Sequence, residues 1–508
     1  MKIKEIRIAN FRCYKEETTI SFNDLNVFVG KNDIGKSTIL EALDIFFNEN
    51  KGIIKIDKDD VNKQGLNDSN SEIKISVVFE DLPESLTIDS SNSTTLVEEY
   101  LLLQNGSLEI IKKYPNAGKE KVFIRAYHPS NPACSDLLLK KNADLKKLLT
   151  DGIECEDKKK NAEIRKAIWN HHSDDLQLRD IEIEIAKFDA KNTWEQLKKY
   201  MPLYSLFQSD RKNSDGDSEV QNPMKFAVQE ILKDDELKTT LNRVAIEVET
   251  KLKNVVSKTL EKLNEMNPEI ADSLTPVIPT ADSLKWVDVF KSVSIAGDED
   301  IRINKRGSGV KRLILLNFFR AEAERRQQEK NVQDIIYAIE EPETSQHPNH
   351  QRKLIEAFIE LSNSDNTQIL LTTHSPSIVK LLKFEHLKLI KENNGIEVVN
   401  IEKADLPYPS LNEVNYLAFN ESNEEYHNEL YGYIESESEL TNYKSGKSTV
   451  SYNKIMRNGN INTIQIILSE FIRHQIHHPE NTYNTKFTKD QLQKSIGDMR
   501  TFIKETIQ

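Results

Sequence analysis

Three cysteines in 508 residues, Cys13, Cys134 and Cys155, are too few and too scattered for a disulfide framework or a zinc site. Long hydrophobic runs are missing too. No apolar stretch approaches the roughly 20 residues that a membrane-crossing helix needs, so no membrane partner is expected. Met1-Lys2-Ile3-Lys4-Glu5 leads straight into an alternating strand pattern rather than a leader. A soluble, cytoplasmic protein is therefore expected. Positive charge is also short: 69 Lys and Arg face 82 Asp and Glu, for a net charge of −13. That excludes a globally basic nucleic-acid binder but leaves room for a local basic groove. Aromatic residues are 7% and hydrophobic residues 37% of the chain, whereas 30% is charged, which suits long polar helices. The length exceeds a single ordinary core, so two to four domains are expected.

What is present is a phosphate loop. Gly30-Lys31-Asn32-Asp33-Ile34-Gly35-Lys36-Ser37 fits G-x-x-x-x-G-K-[ST]. It follows the strand-like Leu25 to Val29 and precedes the helix-like Thr38 to Leu43. This is the context that the motif needs. A tight glycine turn aims backbone N–H groups at phosphate, and the helix N-terminus adds a favourable dipole. Lys36 would contact the β- and γ-phosphates, and Ser37 would ligate Mg²⁺.

Three later segments bear on the same chemistry. Arg306-Gly307-Ser308-Gly309-Val310 is glycine-rich with a hydroxyl. Ile335 to Ile339 is a short apolar run, suited to a strand buried on both faces, and ends in Glu340-Glu341-Pro342. Gln368 to Thr373 repeats that strand character and ends at His374. Carboxylates at a strand end can hold a magnesium shell and orient water, although a solvated strand end would read the same way.

In this order the segments resemble the phosphate loop, signature, Walker B and switch-histidine segments of an ABC-type ATPase. Ile339-Glu340-Glu341-Pro342-Glu343 with His347-Pro348 is similar to the OLD and RecF-like members, and Ile8-Ala9-Asn10-Phe11-Arg12 to the first strand of SMC, RecF and OLD heads. The resemblance covers residues 1–80 and 285–385. It implies ATP and Mg²⁺ as cofactors. Gly30, Asn32, Gly35, Lys36, Ser37 and Thr38 would surround the phosphates, with Arg12 near the nucleotide. Ser37 and Glu340 would serve the metal, Glu341 would polarise water, and His374 would touch the γ-phosphate. Ser308 and Gly309 would reach the nucleotide of a second copy, so a homodimer or larger homo-oligomer is implied. Gln346 stands where the family pattern more often has Leu. Gln64 is one candidate for the Q-loop glutamine, with nothing local to distinguish it.

The remainder divides by texture. The fold class expected is α/β: a P-loop head of ABC type, interrupted by a helical insertion and followed by an all-helical C-terminal domain. The boundaries fall at 1–130 for the N-terminal lobe, 131–284 for the helical arm, 285–404 for the C-terminal lobe and 405–508 for the effector region. Within the arm, residues 135–200 are charged and leucine-spaced, 208–223 reads as a polar loop, and 224–266 is again helical in pattern. Strands are expected at 286–290 and 293–295, and a helix at 313–326. Asp405 to Ser410 reads as a linker, followed by helices at 424–434, 463–478 and 489–507.

OLD proteins often end in a TOPRIM nuclease, but no Asp-x-Asp follows residue 385, so that domain is not expected. Instead Arg473 and His478 fit the R-x4-H pattern of HEPN ribonucleases. There a histidine acts as general acid or base on RNA, and the arginine stabilises the charged transition state, without a metal. Glu425 or Glu429 could be an acidic helper, or simply part of a solvated helix face. An ABC head fused to HEPN chemistry resembles the anticodon nucleases of bacterial anti-phage defence, which implies tRNA as a partner. A second reading has the tail dock a separate effector protein. A third, by likeness to RecF and SMC heads, has the chain act on DNA.

Overall fold

The computed structural model describes residues 1–49, 52–84, 86–89, 92–150, 152–185, 190–208, 232, 235–266, 334–344, 348–393, 395–401, 405–456 and 459–507. They fall into two compact units, residues 1–206 with 334–508, and residues 207–333.

Among the described residues the larger unit shows two six-stranded sheets. In the first, the strands Thr18–Ser21, Lys2–Ala9, Glu72–Glu80, Leu108–Pro115, Lys121–His128 and Arg179–Glu184 lie side by side in that order, every pair antiparallel. In the second, the order is Leu203–Phe207, Ile335–Glu340, Thr367–Thr372, Leu25–Val29, Leu387–Glu392 and Ile396–Asn400. Ile335–Glu340, Thr367–Thr372, Leu25–Val29 and Leu387–Glu392 run parallel. Every residue of Leu25–Val29 and of Thr367–Thr372 is buried, as expected for central parallel strands covered on both faces. One apolar core joins both sheets to the helix Lys36–Asn48: Ile6, Ile75 and Ile110 of the first sheet and Phe28, Ile336 and Leu370 of the second pack in one cluster with Ile39, Leu43 and Phe46. The α/β architecture read from the sequence is thus present, and it places the phosphate loop at the C-terminal end of a central strand.

Residues 131–206 do not form the start of a helical arm. Arg179–Glu184 edges the first sheet by pairing with Lys121–His128, and Leu203–Phe207 edges the second. Tyr204 is fully buried and donates its hydroxyl to Leu40 O at 2.6 Å. Asp180-Ile181-Glu182-Ile183-Glu184 alternates with period two, a strand pattern concealed by its charge. Its acids are used: Glu182 pairs with Lys113 at 2.6 Å and Arg125 at 2.9 Å. In the other unit, Asp235–Met266 is one 32-residue helix, in keeping with the helical pattern of that stretch. The expected elements at 286–290, 293–295 and 313–326 and the polar stretch 209–223 lie outside the described residues.

The C-terminal region is not all-helical. The helices Leu411–Phe419, Glu424–Ser436, Leu440–Lys444, Leu468–His477 and Lys489–Phe502 are joined by a hairpin of Thr449–Ile455 with Ile461–Ile467. The helix expected from Thr463 therefore begins only at Leu468. Ile461, Thr463, Ile464, Ile466 and Ile467 form a β-branched run, and Asn458-Gly459 ahead of it is a hairpin turn signal, so strand propensity prevails. Nor is Asp405–Ser410 a free linker. Asp405 and Leu406 are buried, and the Glu413 carboxylate accepts both of their backbone N–H groups.

Candidate functional site

The loop after Leu25–Val29 has the backbone the motif requires. Gly30 and Gly35 have φ of 151° and 102°, and a Cβ on Gly30 would lie 2.6 Å from Ile390 O. On Gly35 a Cβ would lie 2.5 Å from Cys13 Sγ, so neither position accepts a side chain. Tyr14 Oη donates to Gly35 O at 3.0 Å and fixes the turn from below. Lys31, Asn32 and Asp33 are exposed at the rim, whereas Lys36 and Thr38 are buried and Ser37 is half-buried in the first turn of the helix.

Lys36 Nζ donates to Gly30 O at 3.0 Å and Lys31 O at 2.5 Å. Burial lowers its pKa to about 8, partly offset by the carboxylates of Glu341, Asp33 and Glu343. A buried ammonium facing backbone carbonyls beside a helix N-terminus suits a ligand of high negative charge.

Across the loop stands the end of Ile335–Glu340. Glu341 has a left-handed backbone, φ 42°, with its N–H directed at Thr372 O at 3.1 Å. Such a conformation is costly for a residue with a Cβ and must be held by its surroundings. It turns the carboxylate to His374, whose Nε2 lies 3.2 Å from Glu341 Oε1. The pKa of His374 is lowered by burial and by Lys36, against the pull of Glu341. Lys36, Glu341 and His374, drawn from three distant segments, thus act on one another. Glu340 lies at the end of the same strand, and with Asp44 it helps burial to raise the Tyr204 hydroxyl well above its usual range.

Glu343 was not singled out by the sequence. Its Oε1 accepts from Thr373 Oγ1 and from His374 N, both at 2.8 Å, which fastens the Glu341 turn to the histidine. Its Oε2 is buried without a partner, and burial raises the carboxyl pKa. The only available signal was a third acid three residues after Glu340, and nothing local distinguished it.

Arg12 is placed beside the loop helix. Its guanidinium pairs with Glu41 and, at 2.7 Å, with Asp60. Gln64 is exposed on the short helix Lys63–Asn67. Ser308, Gly309, Gln346 and His347 lie outside the described residues.

ATP fits this loop: a glycine turn that admits no side chain and a buried lysine beside a helix N-terminus suit phosphate, and the unpartnered Glu343 oxygen would accept from water around a bound Mg²⁺. Among the described residues no three His, Cys, Asp or Glu side chains gather as a metal cage. Mg²⁺ would therefore enter with the phosphates, as it commonly does, using Ser37 and a carboxylate of the Glu340–Glu341 pair.

The tail residues are arranged differently from the expectation. Arg473 lies over the Tyr431 ring at 4.2 Å and pairs with Glu435 at 3.1 Å. His478, 56% exposed at the end of Leu468–His477, pairs with Glu480 at 3.1 Å. Arg473 thus lies within the helix and His478 at its C-cap, each paired with a different acid. Between them His474 stacks on Tyr452 at 5.1 Å and lies 6.2 Å from His478. Glu429 is not free to help them. It pairs with Lys380 at 2.6 Å and accepts from Ser410 and Asn412, while Glu425 is exposed.

A family model described as AAA ATPase domain (AAA_15) matches residues 1–379. Endonuclease GajA of Bacillus cereus (strain VD045) is 23% identical over 419 residues, 80% of this chain and 61% of its own length. The OLD nuclease of Thermus scotoductus is 27% identical over 170 residues, 34% of this chain and 29% of its own. The chain thus spans less than two thirds of either relative. An SMC head bound to the C-winged helix domain of ScpA superposes with TM-score 0.37 at 12% identity, over 78% of this chain and 98% of that one. The SMC head of Thermotoga maritima gives 0.33 at 12% identity, over 79% and 100%. Superpositions that loose carry no functional argument. No helix among the described residues is long and apolar enough to cross a membrane.

Proposed function

This chain belongs to the AAA ATPase domain family (AAA_15), and from that premise we propose that it is an ATP-hydrolysing anti-phage defence protein whose nucleotide state controls an RNA-cutting C-terminal region. The observation that carries the ATPase part is the meeting of Lys36, Glu341 and His374 at one loop. Lys36 would bind the β- and γ-phosphates, with Ser37 and Glu340 serving Mg²⁺, which neutralises the triphosphate when bound. Glu341 would orient water for in-line attack on the γ-phosphorus. The bond to the bridging oxygen breaks, ADP and phosphate leave, and His374 would hold the γ-phosphate side. Its 3.2 Å pairing with His374 makes Glu341 the carboxylate assigned to the water. Ser308 and Gly309 of a second copy would complete the pocket, making the active form a homodimer or larger homo-oligomer.

The defence role rests on the OLD-like sequence segments and on similarity to two nucleases. The RNA reading is supported by local charge. Residues 441–489 hold seven Lys and Arg against two Glu in a chain of net charge −13. His474, stacked on Tyr452 at 5.1 Å, lies 6.2 Å from His478, and burial, with the charges of His478 and Lys454, lowers its pKa. Stacked aromatics beside cations suit a single-stranded loop such as an anticodon. His478 would move the proton of the attacking 2′-hydroxyl or the leaving 5′-oxygen, with Arg473 stabilising the charged phosphorus centre.

A second reading, docking of a separate effector protein, is favoured by the hairpin tip, where Ile455, Met456 and Ile461 are 40%, 42% and 46% exposed. One assay separates the two. Purified protein is incubated with total tRNA, with and without ATP and Mg²⁺, beside an Arg473→Ala/His478→Ala variant. Nucleotide-dependent cleavage by wild type alone is expected. Equal cleavage by the variant, or none by either, sinks the ribonuclease reading.

A further inference from the structure

The phosphate loop and the helix after His374 are each gripped through one lysine by the same C-terminal pair of helices. On the loop side, Lys31 Nζ lies 4.7 Å over the Phe419 ring and 3.1 Å from Glu421 Oε1. Phe419 ends the helix Leu411–Phe419 and packs against the core of the head. On the histidine side, Lys380 follows the short helix Pro376–Val379. It meets Glu429 at 2.6 Å and lies 5.8 Å over the Tyr408 ring. Glu429 is nearly buried, with 10% of its side chain exposed, and it also accepts from Ser410 and Asn412. That anchors the grip within the tail's own fold.

The loop side has a direct consequence. The residue whose side chain the tail holds is the one whose carbonyl accepts Lys36 Nζ at 2.5 Å. We propose that Phe419 and Glu421 are positioning residues of the ATP site, which act through Lys31 to hold its carbonyl on Lys36 in competition with phosphate. Binding of ATP draws the ammonium of Lys36 from Lys31 O to phosphate oxygens, so the tail's hold on Lys31 and the nucleotide's hold on Lys36 oppose each other. By linkage the opposition is mutual: whatever loosens the tail tightens ATP, and ATP loosens the tail by the same factor. Phe419 and Glu429 lie on the consecutive helices Leu411–Phe419 and Glu424–Ser436, with Glu421 in the connection between them, and the second helix carries Tyr431 and Glu435, the partners of Arg473. The coupling therefore reaches the tail site by packed side chains alone.

The inference rests on the ATP-site part of the proposed function and on no part of the RNA reading. Its test uses the full chain and ATP binding followed by calorimetry with Glu341→Gln as the background, which removes turnover. Glu421→Gln and Phe419→Ala are each expected to tighten ATP by roughly three- to fivefold, the range of a half-exposed ion pair or cation–π contact. In a Lys31→Met background Glu421→Gln is expected to change nothing further, because the side chain it acts through is gone. Hydrogen exchange supplies the reciprocal measurement: ATP should speed exchange across Leu411–Phe419 in the Glu341→Gln protein and leave it unchanged once Lys31 is Met. Phe419→Ala is open to misfolding, and Glu421→Gln on the surface is not. Unchanged or weakened ATP binding in Glu421→Gln overturns the proposal. So does an equal effect with Met at position 31, which would mark simple removal of a charge near phosphate. Failure of the parent protein to bind ATP at all would instead defeat the ATP-site reading itself.

Discussion

At the scale of single residues, Lys36 sets a pH signature. Its pKa, lowered by burial to about 8, means that the side chain is charged below pH 8 and loses its proton above it. Bound triphosphate restores the charge. Below pH 8 ATP should bind without proton uptake at Lys36. Above it each binding event should take up one proton, and affinity should fall by up to about tenfold per pH unit. Calorimetry in buffers of different ionisation enthalpy measures that uptake, and a pH-independent uptake near zero from pH 7 to 9 would refute it. Much of this centre was legible in advance because phosphate chemistry imposes a fixed spacing on Gly30, Gly35, Lys36 and Ser37. Glu343 was not legible, since its role is to brace His374 across 31 residues of sequence, a relation set by strand register rather than by local pattern. Arg473 and His478 were recognised as a spacing. That spacing carries no information about which way each side chain leaves its helix, and Tyr431 and Glu435 take the arginine.

At the scale of elements, strands with buried faces were read well. Leu25–Val29 agrees residue for residue, and Ile335–Glu340 and Thr367–Thr372 agree with the expected runs to within one residue at each end. The failures came where charge hid a period-two pattern, at Arg179–Glu184, and where a hairpin was followed directly by a helix, at Ile461–His477. That hairpin-to-helix junction belongs to a small core with an unusual polar interior. His427 Nε2 meets Ser495 Oγ at 2.9 Å, Ser495 donates to Ser469 at 2.7 Å, and Ser469 meets Tyr443 Oη at 2.7 Å. The chain of bonds links Glu424–Ser436, Lys489–Phe502, Leu468–His477 and Leu440–Lys444. Burial, aided by Arg473, lowers the His427 pKa to about 4. The unfolded chain therefore binds a proton that the fold refuses between about pH 6.5 and 4. Stability from this group is fully present above that window and is lost as pH falls through it, by on the order of 3 kcal/mol. Glu413, raised to about 7 by burial and by Asp405, acts with the opposite sign. The comparison must therefore be with His427→Gln, whose unfolding free energy should lack the acid loss carried by wild type. Parallel pH curves for the two proteins would show that His427 does not control it.

At the scale of the whole molecule, ATP hydrolysis and assembly should be separable. Glu341→Gln keeps the loop and its lysine but removes the water-orienting carboxylate. Turnover is expected to fall by at least about a hundredfold while ATP binding persists. Light scattering should then find an ATP-dependent dimer that wild type forms only transiently. Unchanged hydrolysis would move the catalytic role to Glu340 or Glu343, and a monomer with ATP bound would argue against a shared site.

The strand that carries the phosphate loop is made early and completed late. Leu25–Val29 has no parallel neighbour until Thr367–Thr372 and Leu387–Glu392 exist, more than 330 residues further along the chain. At ribosomal speeds of about 5–20 residues per second, the loop waits roughly 20–70 s for its flanking strands. During that time its apolar strand is exposed and its glycine turn is unsupported by Ile390. A nascent or truncated chain thus has the motif without the site.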